Sequence, residues 1–275
     1  MVWKDKVALI TGSSKGIGKA TALELGLKGV KIMLNGRSAR QLEETRTELA
    51  AQGLTVHAWL ADVGKPAEAR QLITKTLSIY GKIDFLINNA GLSMRGTFAD
   101  LVTDTVDSVL TSNLHGAIYP TLFALEALKA SQGSVVFVSS LAGVRGFSGV
   151  SIYSAAKMAL TALSQSLGIE MHTHGVHVGL IYLGFTKNDP DKTILTSQGE
   201  KVQHQRSHQL TQNQAALGIL RVIFHKKRTH ITTSSGRFLD FFQRHFPRLT
   251  EWIVRGSKGR IHSSKILKQT EVSKT

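Results

Sequence analysis

The chain contains no cysteine in 275 residues. That excludes disulfides, thiolate metal sites and cysteine nucleophiles, and it suits a reducing compartment. Any uninterrupted apolar run near the ~20 residues of a membrane-spanning helix is also missing. Residues 1–6 have no apolar h-region and Val7-Ala8-Leu9-Ile10 runs straight into a turn, so no signal peptide is expected. The expectation is a cytoplasmic protein, soluble or peripheral at a membrane surface. No internal repeat and no low-complexity segment interrupts the sequence. Acidic residues become scarce towards the C-terminus: residues 201–275 hold 15 Lys and Arg against 3 Asp and Glu, whereas the first 200 hold 19 against 16. The formal charge of +15 is therefore concentrated in the tail, and long-range attraction to an anionic surface is a property of that segment. No nucleic-acid recognition module accompanies the charge, so nucleic acid is not an expected partner.

With 42% hydrophobic residues, a chain of this length can bury a large core as one α/β domain. Short apolar, β-branched runs are expected as strands at residues 7–10, 30–34, 55–60, 84–88, 134–138 and 176–183, with a shorter one at 229–233. Helices are expected at about 38–52, 66–80, 153–173 and 214–225, with one long helix over 100–129. Strands alternating with helices of this length from the N-terminus indicate a doubly wound parallel sheet with helices on both faces. In such sheets ligands bind beyond the carboxyl ends of the strands. The unusual loops lie at those ends: residues 12–18, 35–37, Asp62, 88–91, 139–143 and 184–186.

The first strand runs into Thr11-Gly12-Ser13-Ser14-Lys15-Gly16-Ile17-Gly18. Glycines allow a tight turn and close approach of a ligand, and the free N–H groups and positive dipole of the following helix suit phosphate. The spacing differs from the GxGxxG fingerprint. Further on, Ser151-Ile152-Tyr153-Ser154-Ala155-Ala156-Lys157 sets a phenol and an ammonium at i and i+4 on one helical face. A nearby cation favours the phenolate and lowers a tyrosine pKa, which is what a general acid or base near neutral pH requires. His172, His174 and His177 could suggest a metal, but they sit on a helix-to-strand turn away from the expected active face, and residues two apart on a helix diverge. No metal site is expected.

Four segments in order, the 12–18 loop, residues 88–91, Ser140, and Tyr153 with Lys157, make the chain resemble the single-domain short-chain dehydrogenase/reductases over roughly residues 4–184, and more loosely to 233. Ser140 precedes Tyr153 by 13 residues, the separation found in that family. The resemblance implies a Rossmann-like domain over residues 1–233 with an extension at 234–275. It implies a catalytic set in which Tyr153 exchanges a proton with the substrate oxygen and Lys157 lowers the tyrosine pKa and bonds the nicotinamide ribose. Ser140 would donate to the substrate oxygen, and Asn113 would hold a water linking Lys157 to solvent. The cofactor would lie against Gly12, Ser14, Lys15, Gly16, Ile17, Gly18, Arg37, Asp62, Val63, Asn89, Ala90, Gly91, Tyr153, Lys157 and Thr186. In this picture Asp62 contacts the adenine, Val63 lies beside it, Asn89 and Ala90 lie near its ribose, and Thr186 bonds the carboxamide. At the end of the second strand, Leu34-Asn35-Gly36-Arg37 offers no carboxylate. An acid there suits a ribose 2′-hydroxyl and a base suits a 2′-phosphate, so Arg37 with Lys15 points to NADP(H).

The usual proline before Gly184 is Leu183 here, which is expected to free the backbone at the base of the substrate loop. Residues 187–212 are polar and are expected to form a mobile lid. Over residues 237–255, large apolar residues interleave with arginines, a composition that fits either an interfacial amphipathic segment or an extension packed over the pocket or on a second subunit. The expected activity is NADP(H)-dependent interconversion of a small-molecule ketone and secondary alcohol, on a lipophilic substrate. The alternatives are a 3-oxoacyl reductase of lipid synthesis or a non-catalytic nicotinamide sensor. The resemblance further implies a homodimer or homotetramer paired through two long helices.

Overall fold

The short apolar runs alternate their side chains between two faces, so each strand must be covered on both sides. The computed structural model of the protein, which describes residues 3–187, 189–203 and 210–256, shows how. In chain order the first half comprises β1 (Val7–Ile10), α1 (Gly16–Gly26), β2 (Lys31–Gly36), α2 (Ala39–Ala51), β3 (Val56–Leu60), α3 (Pro66–Tyr80), β4 (Phe85–Asn88), β5 (Met94–Arg95), α4 (Thr103–Leu110) and α5 (Gly116–Ser131). There follow β6 (Ser134–Ser140), α6 (Ser151–Glu170), β7 (His177–Leu183), β8 (Thr193–Thr196), β9 (Lys201–Gln203), α7 (Gln212–Phe224), β10 (Thr229–Ile231), α8 (Ser234–His245) and α9 (Pro247–Gly256).

Seven parallel strands form one sheet in the order β10-β7-β6-β4-β1-β2-β3. On one face Ala8, Ile10, Ile32 and Leu34 pack with Ala22 and Leu25 of α1 and Ala215 and Ile219 of α7. Their neighbours Leu9 and Met33 turn the other way, towards Leu72 of α3, Ala117 of α5 and Leu160 of α6. This is the doubly wound, Rossmann-like arrangement. The sequence order reverses between β1 and β4, and that crevice is where such sheets take ligands.

Two expectations are corrected. The long helix over 100–129 begins at Thr103 and is interrupted by a π-helical turn, Thr111–His115, between α4 and α5. Asn113 lies in that turn with its Nδ2 donating to the carbonyls of Val109 (2.9 Å) and Leu92 (2.8 Å), a local widening that side-chain periodicity does not reveal. Within the expected lid, β8 pairs in parallel with β5 and antiparallel with β9 in a second, three-stranded sheet. Ile194 and Leu195 are buried there, too short an apolar pair to stand out in a polar stretch. Finally, Leu183 does not loosen the substrate loop: it remains paired with Ser140, and the next N–H, of Gly184, donates to Thr232 Oγ1 at 3.1 Å. Thr232, just after β10, thus ties down the residue that follows β7.

Residues 204–209 of the expected lid and 257–275 of the extension lie outside the described residues. The chain divides after Thr233 into two units, the second containing α8 and α9. Among the described residues, no helix is long and apolar enough to cross a membrane.

Candidate active site

The turn after β1 is shaped by contacts that only glycine allows. Gly12 and Gly16 both adopt φ of +62°, a left-handed conformation that L side chains resist. A Cβ on Gly12 would lie 2.8 Å from Ala90 Cα, and one on Gly18 would lie 2.4 Å from the carbonyl oxygen of Gly12. Thr11 fastens this loop to the end of β4, its Oγ1 accepting from the N–H groups of Asn89 and Ala90, each at 3.0 Å. Asn89 reciprocates through Nδ2, which donates to the carbonyls of Thr11 (3.0 Å) and Gly12 (2.9 Å). No side chain caps α1 at Lys15, so the leading N–H groups of Gly16, Ile17 and Gly18 stay available to an anion.

At the carboxyl end of β2, Asn35 is buried and tied into the sheet: its Nδ2 donates to the carbonyls of Trp59 (3.3 Å) and Ala61 (3.0 Å). Two cations follow the crevice edge. Arg37 lies 3.7 Å from Asp62 Oδ2, and Asp62 Oδ1 accepts from Gly64 N–H at 3.0 Å, while Val63 is buried in the core. Lys15 Nζ donates to Asp191 Oδ2 at 2.7 Å, and Gln41 Nε2 reaches the same oxygen at 3.2 Å. The Lys15 hydrogen bond holds the Asp191 carboxyl below its ordinary pKa. A cleft of about 420 Å³ opens here, bordered by Ser14, Lys15, Gly16, Gln41, Asp189 and Asp191.

Across the sheet, α6 places Tyr153 half-buried and Lys157 buried one turn on. The ammonium is 5.7 Å from the centre of the Tyr153 ring and donates to the carbonyl of Val138 on β6 at 3.0 Å. Burial pushes the Lys157 pKa down from its ordinary 10.5 to about 8, with the charge of Lys192 adding to the effect. Ser140 ends β6, its hydroxyl oxygen accepting from Ala142 N–H at 3.3 Å, which leaves the hydroxyl proton for another acceptor. Asn113 Oδ1 is buried without a partner among the described residues. A Cβ on Gly91 would lie 2.7 Å from that oxygen and 3.5 Å from Lys157 Nζ, so the absence of a side chain there keeps both polar atoms facing one small space. Met94, Val109 and Leu195 form an apolar cluster against which Ile152 and Tyr153 pack. Thr186 is half-buried, its Oγ1 donating to the carbonyl of Gly184 at 3.1 Å.

Residues 6–199 match the model of the short chain dehydrogenase family. The chain belongs to that family. A 3-oxoacyl-[acyl-carrier-protein] reductase from Synechocystis is 34% identical over 69% of this chain and 77% of its own. The actinorhodin polyketide ketoreductase, solved with NADPH, is 30% identical, with a TM-score of 0.64 over 66% of this chain and 70% of the other. A short-chain dehydrogenase/reductase from Burkholderia phymatum, solved with NAD, superposes with a TM-score of 0.79 over 90% of this chain and 96% of the other. At 21% identity that likeness concerns the fold.

As a short-chain dehydrogenase the protein is an oxidoreductase dependent on a nicotinamide dinucleotide. The residues present fit that group: the glycine cradle admits close approach, the uncapped start of α1 suits a diphosphate, and Asn113 Oδ1 waits for a donor. Several contributors escaped the sequence reading. Thr11 could have been noticed as the hydroxyl residue before Gly12. The carbonyl of Val138 and the buried cluster of Met94 and Leu195 behind Tyr153 carry no side-chain signal of chemistry. Asp191 reaches Lys15 from 176 positions away in the chain, and nothing local announces it. His177, one of the three histidines weighed for a metal, is instead buried between Ser134 Oγ (3.2 Å) and the carbonyl of Lys227 (3.0 Å). Burial lowers its pKa.

Proposed function

We propose that the protein is an NADP(H)-dependent reductase or dehydrogenase that interconverts a lipophilic ketone and its secondary alcohol. The observation that carries the cofactor choice is the end of β2, where residues 34–37 offer no carboxylate and the cations Arg37 and Lys15 border the crevice. A carboxylate there would repel a 2′-phosphate, whereas a charge-assisted hydrogen bond to it is worth about 1.5–3 kcal/mol. Met94, Val109 and Leu195 pack behind Tyr153 as buried core, and the lipophilic character of the substrate is the part of the reading that the ketone panel tests.

When bound, the nicotinamide supplies or accepts the hydride. The chain's own groups manage the proton and the charge on oxygen. Tyr153 donates its hydroxyl proton to the carbonyl oxygen as that oxygen gains negative charge, and Ser140 donates a second hydrogen bond to the same atom. Lys157, held by the Val138 carbonyl, keeps a positive field beside the phenol and retains two more N–H donors. Asn113 Oδ1 and Lys157 Nζ share the space at Gly91, which suits a water through which the proton is replenished.

Turnover of a panel of ketones with NADPH and with NADH tests the reading. NADPH is expected to be preferred, and Arg37→Glu to remove about one to two decades of that preference; equal or better use of NADH by the unaltered protein refutes it. The Synechocystis relative, named as a 3-oxoacyl-[acyl-carrier-protein] reductase, favours one second reading, an acyl thioester substrate, and including a 3-oxoacyl thioester in the panel separates the two.

A further inference from the structure

In α8 and α9 the usual sense of amphipathicity is reversed. Leu249, Trp252 and Ile253 share one face of α9 by their i, i+3, i+4 spacing, and that face is exposed, Trp252 to 73%. On the same helix Thr250 is only 4% exposed. In α8 the exposed face carries Phe238, at 67%, and Phe241, whereas Gly236 is buried. The rings of Phe238, Phe241, Phe242 and Phe246 touch in series, with centroids 5.7–6.4 Å apart. Each of the two helices thus exposes large apolar side chains.

Charge selects what would cover it. Residues 234–275 carry nine Lys and Arg against three Asp and Glu. Two of those acids are already engaged by an arginine one turn along, Asp240 with Arg244 and Glu251 with Arg255, at 2.9 and 2.8 Å. A second copy of this surface laid against the first would bring together the excess positive charge that remains on both copies after those pairs, where like charges repel. A surface with apolar depth and anionic rim satisfies both features at once. We propose that α8 and α9 form an interfacial anchor that seats the enzyme on an anionic phospholipid membrane, with Phe238, Phe241 and Trp252 at the level of the acyl boundary and the arginines among the headgroups. The anchor lies on the membrane without crossing it, in keeping with the lengths of the described helices. The inference does not depend on the cofactor or substrate proposed above.

Co-sedimentation of the full-length protein with vesicles tests it, using phosphatidylcholine alone and phosphatidylcholine with phosphatidylserine, at about 50 and about 500 mM salt, where screening differs severalfold. The protein is expected to pellet with the anionic vesicles at low salt, to be released at high salt, and to stay in solution with the neutral ones. The triple variant Phe238→Ala, Phe241→Ala, Trp252→Ala is expected to lose about tenfold in affinity for anionic vesicles through lost interfacial burial, with its circular dichroism and melting unchanged. Failure of the unaltered protein to pellet at low salt overturns the proposal. So does pelleting that survives the triple substitution, or a dimer in gel filtration that the triple variant dissociates while vesicle binding is absent, which would assign the surface to a second copy.

Discussion

Helix α6 and the helix pair α8–α9 break the same rule in opposite directions. The first buries an ammonium, Lys157, in a domain core; the second turns phenylalanines and a tryptophan to solvent. Burying a charge and exposing large apolar groups both run against the free energy of folding. Neither arrangement is needed to build its helix, since α6 and α9 would form as well with the residues exchanged for ordinary ones. What the contrast teaches is where to test for function: catalysis, as proposed, where a polar group goes in, and association, as proposed, where apolar groups stay out.

The largest effect that could break this contrast is at Tyr153. Replacing it by Phe keeps the ring against Ile152 and the Met94 cluster but removes the proton, so kcat is expected to fall by roughly 10²–10⁴-fold while NADP(H) binding, followed by fluorescence titration, stays nearly unchanged. A Phe variant with normal turnover would refute the assignment of the α6 corner.

Lys157→Met sharpens the comparison through stability. The ammonium has its pKa lowered to about 8 in the folded protein from 10.5, so below about pH 8 the folded state carries the full cost of the buried charge. Between pH 8 and 10.5 the folded protein gives up that proton before the unfolded chain does, and the stability of the unaltered protein rises across that window. At 1.36 kcal/mol per unit the cost is at most about 3 kcal/mol, part of it offset by the hydrogen bond to Val138. The Met variant is therefore expected to be inactive yet to melt higher at pH 7, with the gain shrinking as pH approaches 10.5. Thermal melts at pH 7 and 10 check the sign, and a variant less stable at pH 7 would show that the lysine is held for structure.

The smallest effect is expected on α9. Trp252→Ala removes a side chain that is 73% exposed, and exposed positions away from special contacts change stability by within about 0.5 kcal/mol. Denaturant midpoints should scarcely move. A loss comparable to that of a core aromatic would mean that Trp252 supports the fold and that the contrast with α6 is false.

Much of the fold was legible because its signals are local. Residues 66–80 read as a helix and are one; the strand runs are the sheet strands to within a few positions, with β2 extending through Gly36 and β6 through Ser140. The glycine turn and the Tyr153–Lys157 pair were legible for the same reason, since a turn conformation and an i, i+4 spacing depend on residues close in the chain. The π-helical turn at Asn113 was not, because an added residue per turn leaves the apolar pattern almost intact. Nor was the β5–β8–β9 sheet, whose two-residue strand β5 is defined only by its partner.

The sequence by itself determined the order of strands and helices, the phosphate-suited turn, and the pairing of phenol and ammonium, because each follows from short-range sterics and periodicity. Tertiary structure alone decided that Lys157 finds the carbonyl of Val138, that Asp191 closes on Lys15, and that Phe242 packs against Phe238 and Phe246 at the junction of α8 and α9. Those outcomes depend on which distant segments share a surface and on how much water each group loses there, quantities that no run of neighbouring residues contains.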